Sequence, residues 1–88
     1  MSDIQKIGSA GSVESNDCLV TISASDHLEV EIQSIVDAFF HDQIEKVVLD
    51  TLKEKGLNNV KVSLQDKGAL DYTIKARLLT AIERMEAK

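Results

Sequence analysis

The sequence predicts an α+β fold in which two helices pack on one face of an antiparallel four-stranded sheet, in the order β-β-α-β-β-α. Two observations lead to this fold class. Apolar residues alternate with mostly polar ones along several short segments, as in strands that bury one face. Longer segments instead repeat apolar residues every three or four positions, as amphipathic helices do. A sheet and helices that are each apolar on one side bury the most surface by packing as two layers.

The N-terminal segment, residues 1–16, is rich in Ser, Gly, Asn and Asp, and this composition predicts a flexible N-terminal arm. A first strand pattern follows over residues 18–22, where Cys, Val and Ile alternate with Leu and Thr. After a turn at 23–26, residues 28–33 alternate again between apolar and polar side chains. The short link between the two segments predicts an antiparallel hairpin with one solvated face.

The first helix is predicted to begin at Ser34, which forms a pattern like a capping box with Asp37 three residues later. Its apolar stripe consists of Val36, Phe40, Ile44, Val48 and Leu52. Gly56 is expected to end the helix in the left-handed conformation. Residues 26–54 hold many more acids than bases, so this surface is a candidate docking face, although a solvated face is the usual meaning of such charge.

The last third of the chain repeats the strand pattern over residues 59–64. A turn follows at Asp66–Ala69, where Gly68 supplies the positive φ that such turns often need. Alternating residues at 70–74 predict a second hairpin, and a helix is expected beyond Lys75. The boundary between the two stays open, because four apolar residues also fit one longer helix. These are Ile74, Leu78, Ile82 and Met85.

Composition argues against several classes of function. The 88 residues predict a single domain over 1–88, too short for a substrate cleft walled on all sides. The formal net charge of -5 argues against nucleic acid, because a phosphate backbone would be repelled. No apolar run reaches the roughly 18 residues that span a bilayer and no signal-peptide pattern opens the chain, so a cytoplasmic protein is expected. With 1 cysteine and 2 histidines, no metal site is expected.

Few residues suggest catalysis. Cys18 would be a nucleophile only if folding brought His27 or His41 to it, and a buried strand position is the commoner role. The histidines themselves fit a turn and a solvated helix position. Glu29 and Glu31 share one strand face, as a catalytic acid and base would, but a solvated face is the simpler interpretation. The residues taken alone therefore predict no enzyme active site.

Residues 11–17, Gly-Ser-Val-Glu-Ser-Asn-Asp, are not explained by the fold. Two serines, Ser12 and Ser15, lie here among the acids Glu14 and Asp17. Serine in such a segment is often only a turn former, and composition alone favours that role. A hydroxyl on a mobile arm is also suited to covalent modification, because a modifying enzyme can draw the arm into its own site at little unfolding cost.

Two motifs lie in register along the chain. The first is Ala-Gly-Ser-Val-Glu-Ser-Asn-Asp at residues 10–17, and the second is Asp-Lys-Gly-Ala-Leu-Asp at 66–71, followed by Ile-Lys-Ala-Arg-Leu at 74–78. Together they resemble the acyl carrier protein, or gamma subunit, family of citrate lyase, and the resemblance covers nearly the whole chain. Members of that family carry Gly-Thr-Leu-Glu-Ser-x-Asp, from which Ser12 and Val13 are mild departures.

The resemblance implies a non-catalytic carrier subunit. Ser15 matches the serine that carries 2'-(5''-phosphoribosyl)-3'-dephospho-CoA through a phosphodiester, and the thiol of this group holds acetyl or citryl. In the family, the alpha subunit exchanges acetyl for citryl on that thiol, and the beta subunit cleaves the citryl thioester to oxaloacetate. A prosthetic-group transferase attaches the group. We further hypothesise that Glu14 and Asp17 help position Ser15 in that transferase, for example through a metal bound with the nucleotide; solubility and turn formation are the alternatives.

Other functions stay open. The carrier subunit of malonate decarboxylase uses the same type of prosthetic group, whereas a small binding module would carry none. A conventional carrier would instead hold phosphopantetheine on a helix-opening serine, which points to Ser34-Ile-Val-Asp37. This last alternative is disfavoured, because the strand patterns contradict an all-helical carrier and Ser34 is already explained as a helix cap.

Overall fold

The computed structural model describes residues 6–35 and 38–87. The elements in chain order are β1 (Ile7–Gly11), β2 (Cys18–Ala24), β3 (Glu29–Ser34), α1 (Ala38–Glu54), β4 (Val60–Asp66) and α2 (Asp71–Glu86). The strands form one sheet in the order β1-β2-β4-β3, and both helices pack against it, which confirms the predicted α+β class. The sheet is mixed: β2 is antiparallel to β1 and β4, whereas β3 runs parallel to β4.

Strand β1 lies in the segment that the composition predicts as a flexible arm. It pairs with β2 along its whole length and buries Ala10. The small residues of β1 allow α2 to pack close to it, because a Cβ at Gly8 would lie 1.9 Å from the carbonyl oxygen of Ala81 in α2. Gly8 therefore reflects the close approach of the β1 and α2 backbones, not the flexibility of an arm. The order of the elements is consequently β-β-β-α-β-α, which differs from the predicted β-β-α-β-β-α.

Residues 70–74 do not form a strand: Leu70 precedes helix α2, and residues 71–74 form its first turn. Leu70 and Tyr72 are 59% and 72% exposed, so the alternating apolar positions do not share a buried face. Buried residues recur instead at helical spacing. They are Ile74, Leu78, Ala81, Ile82 and Met85. The single longer helix is therefore correct and the second hairpin is wrong. The sequence left both open because a short apolar run fits the strand period and the helix period equally well.

Strands β2 and β3 are close in sequence but are not neighbours in the sheet. β4 lies between them, so the predicted antiparallel hairpin of residues 18–22 and 28–33 does not form. Burial explains this order: the apolar residues of β4 are almost fully buried, whereas Val30 and Ile32 of β3 are only partly buried. The less apolar strand takes the edge of the sheet. A helix then joins β3 to β4, as parallel neighbours require.

The start of helix α1 also differs from the prediction. The helix begins at Ala38, and Ser34 is the last residue of β3. Val36 and Asp37, which belong to the predicted apolar stripe and capping box, lie outside the described residues. The Ser34 hydroxyl donates instead to the carboxylate of Asp66 at 2.8 Å, so this serine ties together the ends of two neighbouring strands.

The body and the end of α1 agree with the sequence analysis. Its buried apolar residues include Ile44, Val48 and Leu52. Phe40 departs from the predicted stripe, because it is 47% exposed. Gly56 has φ 67° and ends the helix as predicted: its amide donates to Lys53 at 3.1 Å, and that of Leu57 donates to Leu52 at 2.9 Å. These two bonds define a Schellman motif, which satisfies the last carbonyl groups of the helix.

The core lies between the sheet and the two helices. From β2 and β4 it takes Cys18, Val20, Ile22, Val60, Val62 and Leu64, which lie against the buried residues of α1 and α2. The two buried polar residues among those described are Thr51 and Asp66. The hydroxyl of Thr51 donates to the carbonyl oxygen of Val47 at 2.8 Å within α1. Over the described ranges, neither helix has the length and apolarity that crossing a bilayer demands.

Candidate functional site

The connection between β1 and β2, residues 12–17, forms a tight loop that presents Ser15 and is called the Ser15 loop below. The amide of Asp17 donates to the carbonyl oxygen of Glu14 at 3.2 Å, which closes a four-residue turn with Ser15 and Asn16 at its centre. Asn16 has φ 66°, a left-handed value that asparagine adopts more readily than most residues. Ser15 is exposed at the second position of this turn, where another protein can reach it.

Asp17 organises the loop through both of its carboxylate oxygens. Oδ1 accepts from the amide of Cys18 at 2.7 Å and from Nε of Arg77 at 3.0 Å. Oδ2 accepts from the hydroxyl of Ser12 at 2.7 Å and from Nη2 of Arg77 at 3.0 Å. The Arg77 guanidinium first, and then the Ser12 hydroxyl and the Cys18 amide, lower the pKa of Asp17 to about 2. The side chain is 17% exposed, so it faces the protein rather than solvent.

Gly11 and Ser12 set the start of the loop. The amide of Ser12 donates to the carbonyl oxygen of Cys18 at 3.1 Å, and its hydroxyl accepts from the amide of Glu14 at 3.2 Å. Gly11 has φ 102°, and a Cβ there would lie 1.8 Å from the carbonyl oxygen of Cys18. Only glycine fits this conformation and this space. The hydroxyl at residue 12 is used structurally, which explains why serine can replace the threonine of the family pattern.

A second loop, residues 67–70 between β4 and α2, is hydrogen-bonded to the first and is called the supporting loop below. The amide of Asn16 donates to the carbonyl oxygen of Lys67 at 2.8 Å. The amide of Lys67 in turn donates to the carbonyl oxygen of Asp17 at 2.9 Å. Gly68 follows with φ 95°, and a Cβ there would lie 3.6 Å from Oδ1 of Asn16. The two sequence motifs, residues 10–17 and 66–71, are therefore parts of one structural unit.

Asp66, the last residue of β4, holds the supporting loop through its buried carboxylate. It is 2% exposed, and its Oδ1 accepts from the amide of Ala69 at 2.9 Å while Oδ2 accepts from the hydroxyl of Ser34. The backbone carbonyl oxygen of Asp66 accepts from the amide of Ile35 at 3.3 Å. Both carboxylate oxygens are thus satisfied by donors, as burial of this polar group requires. The turn predicted at Asp66–Ala69 is confirmed.

The structure brings together most of the residues that the sequence analysis selected, but gives them different surroundings. Ser15 and Glu14 are exposed, whereas Asp17 is bonded within the protein. Arg77, to which the sequence analysis assigns no role, is the main partner of Asp17. The two residues are 60 positions apart, so no local spacing rule signals their contact.

Cys18 lacks the surroundings of a nucleophile. It is fully buried in β2, as predicted, and burial together with the carboxylates of Asp17 and Asp66 raises the pKa of its thiol to about 11. His27 lies in the exposed segment between β2 and β3, where its Nδ1 is 2.6 Å from Oδ1 of Asp26. This agrees with the predicted role of His27 as a turn residue.

Two groups of polar residues on the outer surface are also poor candidates for chemistry. His41, Asp42 and Glu45 place one ligand atom each within 4.8 Å of one another on α1, an arrangement common among acidic residues on exposed helices. Glu29 and Glu31 lie on the edge strand β3 and are partly and fully exposed, respectively. A solvated strand face remains the simpler account of that pair.

A cleft of about 460 Å³ opens beside the supporting loop. Its apolar lining consists of Phe40, Ile44, Ala69, Leu70 and Tyr72. At its rim, Nε2 of Gln43 donates to Oδ2 of Asp71 at 2.8 Å, which joins the second turn of α1 to the first residue of α2. The cleft and Ser15 lie at the same end of the sheet, where β1, β3 and β4 end and β2 begins.

Comparison with known proteins gives a consistent result. Residues 5–85 match the family described as ACP: Malonate decarboxylase delta subunit (MdcD). A citrate lyase acyl carrier protein of Halothermothrix orenii is 41% identical over 83 residues, covering 93% of this chain and 88% of the relative. One of Treponema denticola is 45% identical over 85 residues, covering 97% and 98%. One of Lactobacillus acidophilus is 46% identical over 83 residues, covering 93% and 86%.

The fold has a counterpart among solved structures. A chain in the crystal structure of a Pseudomonas malonate decarboxylase hetero-tetramer in complex with malonate superposes with a TM-score of 0.69, covering 97% of this chain and 99% of that one. The two sequences are 16% identical, so this likeness concerns the fold alone.

Proposed function

Because this chain belongs to the family of citrate lyase acyl carrier proteins, we propose that it is the acyl carrier subunit of citrate lyase and is loaded covalently at Ser15. Curated relatives with this name match it over nearly their whole length. Membership of an acyl carrier family implies a covalently attached prosthetic group. The group proposed for this chain is 2'-(5''-phosphoribosyl)-3'-dephospho-CoA, whose thiol carries acetyl or citryl as a thioester.

The position of Ser15 is the observation that supports this proposal. The serine lies exposed at the corner of a turn whose two ends are bonded to the scaffold through Ser12 and Asp17. A transferase can approach such a hydroxyl without unfolding any part of the sheet. The Ser15 oxygen would form the new bond to phosphorus and lose its proton, while the leaving group departs from the activated donor. The exposed turn offers room for a large nucleotide.

The proposed division of labour follows from the rest of the molecule. Cys18 is buried, and the Ser12 and Ser34 hydroxyls that contact carboxylates are used in bonds within the fold, so the carrier would supply an attachment point rather than catalysis. Citrate lyase alpha and beta subunits would perform the acyl exchange and the cleavage. Tethering keeps the thioester at high effective concentration near both of their active sites. We propose that residues 1–88 act as one domain in this role.

Mass spectrometry tests the proposal directly. Protein purified from its native host should show the added mass of the prosthetic group, and peptide mapping should place it on Ser15. The variant Ser15→Ala should lose the added mass and keep its fold. Ser12→Ala removes the other serine hydroxyl of the same loop and controls for the site of attachment: it should still carry the added mass on Ser15, although loading should be slower because this hydroxyl anchors the loop through Asp17. An added mass on any other residue, or none at all, contradicts the proposal.

A second candidate is the carrier subunit of malonate decarboxylase. The description of the matching family favours it. Reconstitution with each set of partner subunits separates the two functions. Citrate cleavage is expected with the citrate lyase subunits, whereas malonate decarboxylation without citrate cleavage would favour the second candidate. A small binding module would show neither activity and no added mass.

A further inference from the structure

We infer that Arg77 is a positioning residue for the attachment site, acting on Ser15 through Asp17. This inference rests on the proposed loading of Ser15. Arg77 lies on α2, far from the loop in sequence, and neither motif analysis nor the comparisons assign it a role. Its guanidinium donates two parallel hydrogen bonds of 3.0 Å to the two oxygens of Asp17. Such a bidentate pair fixes orientation as well as distance.

The bonds of Asp17 connect the two ends of the loop. One oxygen binds the Ser12 hydroxyl at the start of the loop, and the other binds the Cys18 amide where β2 begins. Ser15 lies between these two anchors, in the turn closed by the Asp17 amide. Movement of the Asp17 carboxylate would therefore break the side-chain bonds at both ends of the loop together and leave only its backbone bonds. Arg77 is the contact that holds this carboxylate to the helix layer.

The stem of Arg77 contributes in a second way. Its Cδ would lie 3.3 Å from a Cβ placed on Gly11, so the side chain runs across the glycine at the entrance of the loop. The next residue on the helix, Leu78, is fully buried and anchors this part of α2 in the core. Arg77 therefore links the loop to a part of α2 that is packed in the core.

This geometry also specifies how Asp17 acts. An ionised carboxylate offers about four lone-pair sites, and four donors from three residues already occupy Asp17. Little capacity is left for a metal ion or for a group of the transferase. Asp17 thus positions Ser15 from inside the carrier, and Glu14 is the acidic residue of the loop that remains exposed.

Lysine would not replace Arg77 fully. A Lys ammonium is a point charge on a flexible stem, whereas the planar guanidinium donates two parallel bonds and holds the carboxylate in one plane. We therefore expect Arg77→Lys to preserve the charge and the fold but to lose part of the positioning. This variant separates the geometry of the pair from its charge.

The test measures loading of the full-length apo-carrier by the prosthetic-group transferase, with the activated form of phosphoribosyl-dephospho-CoA and intact mass as the readout. Rates at several carrier concentrations give kcat and KM separately. Arg77→Ala and Asp17→Asn should lower kcat/KM by about tenfold to a hundredfold, as small misplacements of a reacting group do, and Arg77→Lys should fall between them and the wild type. Hydrogen exchange at the amide of residue 17 should be faster in Arg77→Ala.

Arg84→Ala is the matched control. Arg84 lies on the same helix and also reaches β1, donating to the carbonyl oxygen of Ser9 at 2.8 Å, but it does not touch the loop. It should load at the wild-type rate. Wild-type kinetics for both Arg77→Lys and Asp17→Asn would overturn the inference even if Arg77→Ala failed to fold. Loading of Ser15→Ala would instead reject the proposed function, so the two failures are distinguishable.

Discussion

Ser34 and Asp66, which are 32 residues apart in sequence, are joined by a hydrogen bond of 2.8 Å between hydroxyl and carboxylate. The bond connects the ends of β3 and β4 at the base of the supporting loop. The other oxygen of the same carboxylate accepts from the amide of Ala69. One buried side chain therefore holds together a strand pair and the turn on which the Ser15 loop rests.

Replacing Asp66 by alanine should destabilise the protein and loosen this loop. The change removes the acceptor of two hydrogen bonds in a site that is 2% exposed, which should lower the free energy of unfolding by about 3 kcal/mol. Ser34→Ala removes one of the bonds and should lower it by about 1 kcal/mol. Equilibrium unfolding in urea measures both. Asp50→Ala, at an exposed carboxylate on α1, is the control and should change stability little.

The close approach of β1 to α2 gives a second prediction. A Cβ at Gly8 would lie 1.9 Å from a backbone oxygen, which cannot move without displacing the helix. Gly8→Ala should therefore lower the free energy of unfolding by about 3 kcal/mol or more. Gly56→Ala is the matched control, because a Cβ there meets nothing within 4 Å and is opposed only by φ of 67°, at about 1 kcal/mol. Equal losses for the two variants would contradict the model of close packing.

Local patterns predicted the parts of the fold that depend on local contacts. The alternation of residues 18–22, the apolar stripe of α1 and its end at Gly56 all follow from spacing along one element. Strand pairing does not, because it depends on which elements compete for the centre of the sheet. The insertion of β4 between β2 and β3, and the pairing of β1, could only be settled by the relative burial of distant segments.

The candidate site shows the same division. Ser15 was selected through a motif, and its local turn agrees with exposure of the residue. The residues of the second motif, 66–71, predict a turn and support the family resemblance, but only the hydrogen bonds of Lys67 show that they contact the Ser15 loop. Arg77 was missed because its contact with Asp17 depends on how α2 crosses the sheet. Its charge alone does not distinguish Arg77 from the other basic residues of that helix.

The thiol of Cys18 should be unreactive in the folded protein. With its pKa raised to about 11, the thiolate is only about one part in a thousand at pH 8, and the side chain is fully buried. Reaction with a thiol reagent such as DTNB should be at least about a hundredfold slower in buffer than in denaturing urea. Rapid labelling of the native protein would show that β2 opens readily or that Cys18 is accessible. The variant Cys18→Val should leave the prosthetic-group loading unchanged.

The Asp17 carboxylate should make stability depend on acid in a defined pH range. Its pKa falls from an ordinary value of 3.8 to about 2 in the folded protein, so the unfolded chain binds more protons between these values. The stabilisation by Asp17 is thus fully present above about pH 4 and is lost as pH falls towards 2. The difference in unfolding free energy between wild type and Asp17→Asn should accordingly be constant near neutral pH and shrink over this range. Unfolding in urea at several pH values measures it.

Two further variants show whether that dependence comes from the contact with Arg77. In Arg77→Ala the carboxylate keeps its bonds from Ser12 and Cys18 but loses the guanidinium, which is the largest cause of its lowered pKa. The acid-sensitive range of this variant should therefore be narrower than that of the wild type: its upper end, set by the unfolded chain, stays near about pH 4, and its lower end moves to a higher pH. Glu14→Gln removes a negative charge from an exposed position of the same loop and serves as the control for net charge. An Arg77→Ala profile that superposes on that of the wild type would show that Arg77 does not hold the carboxylate in solution.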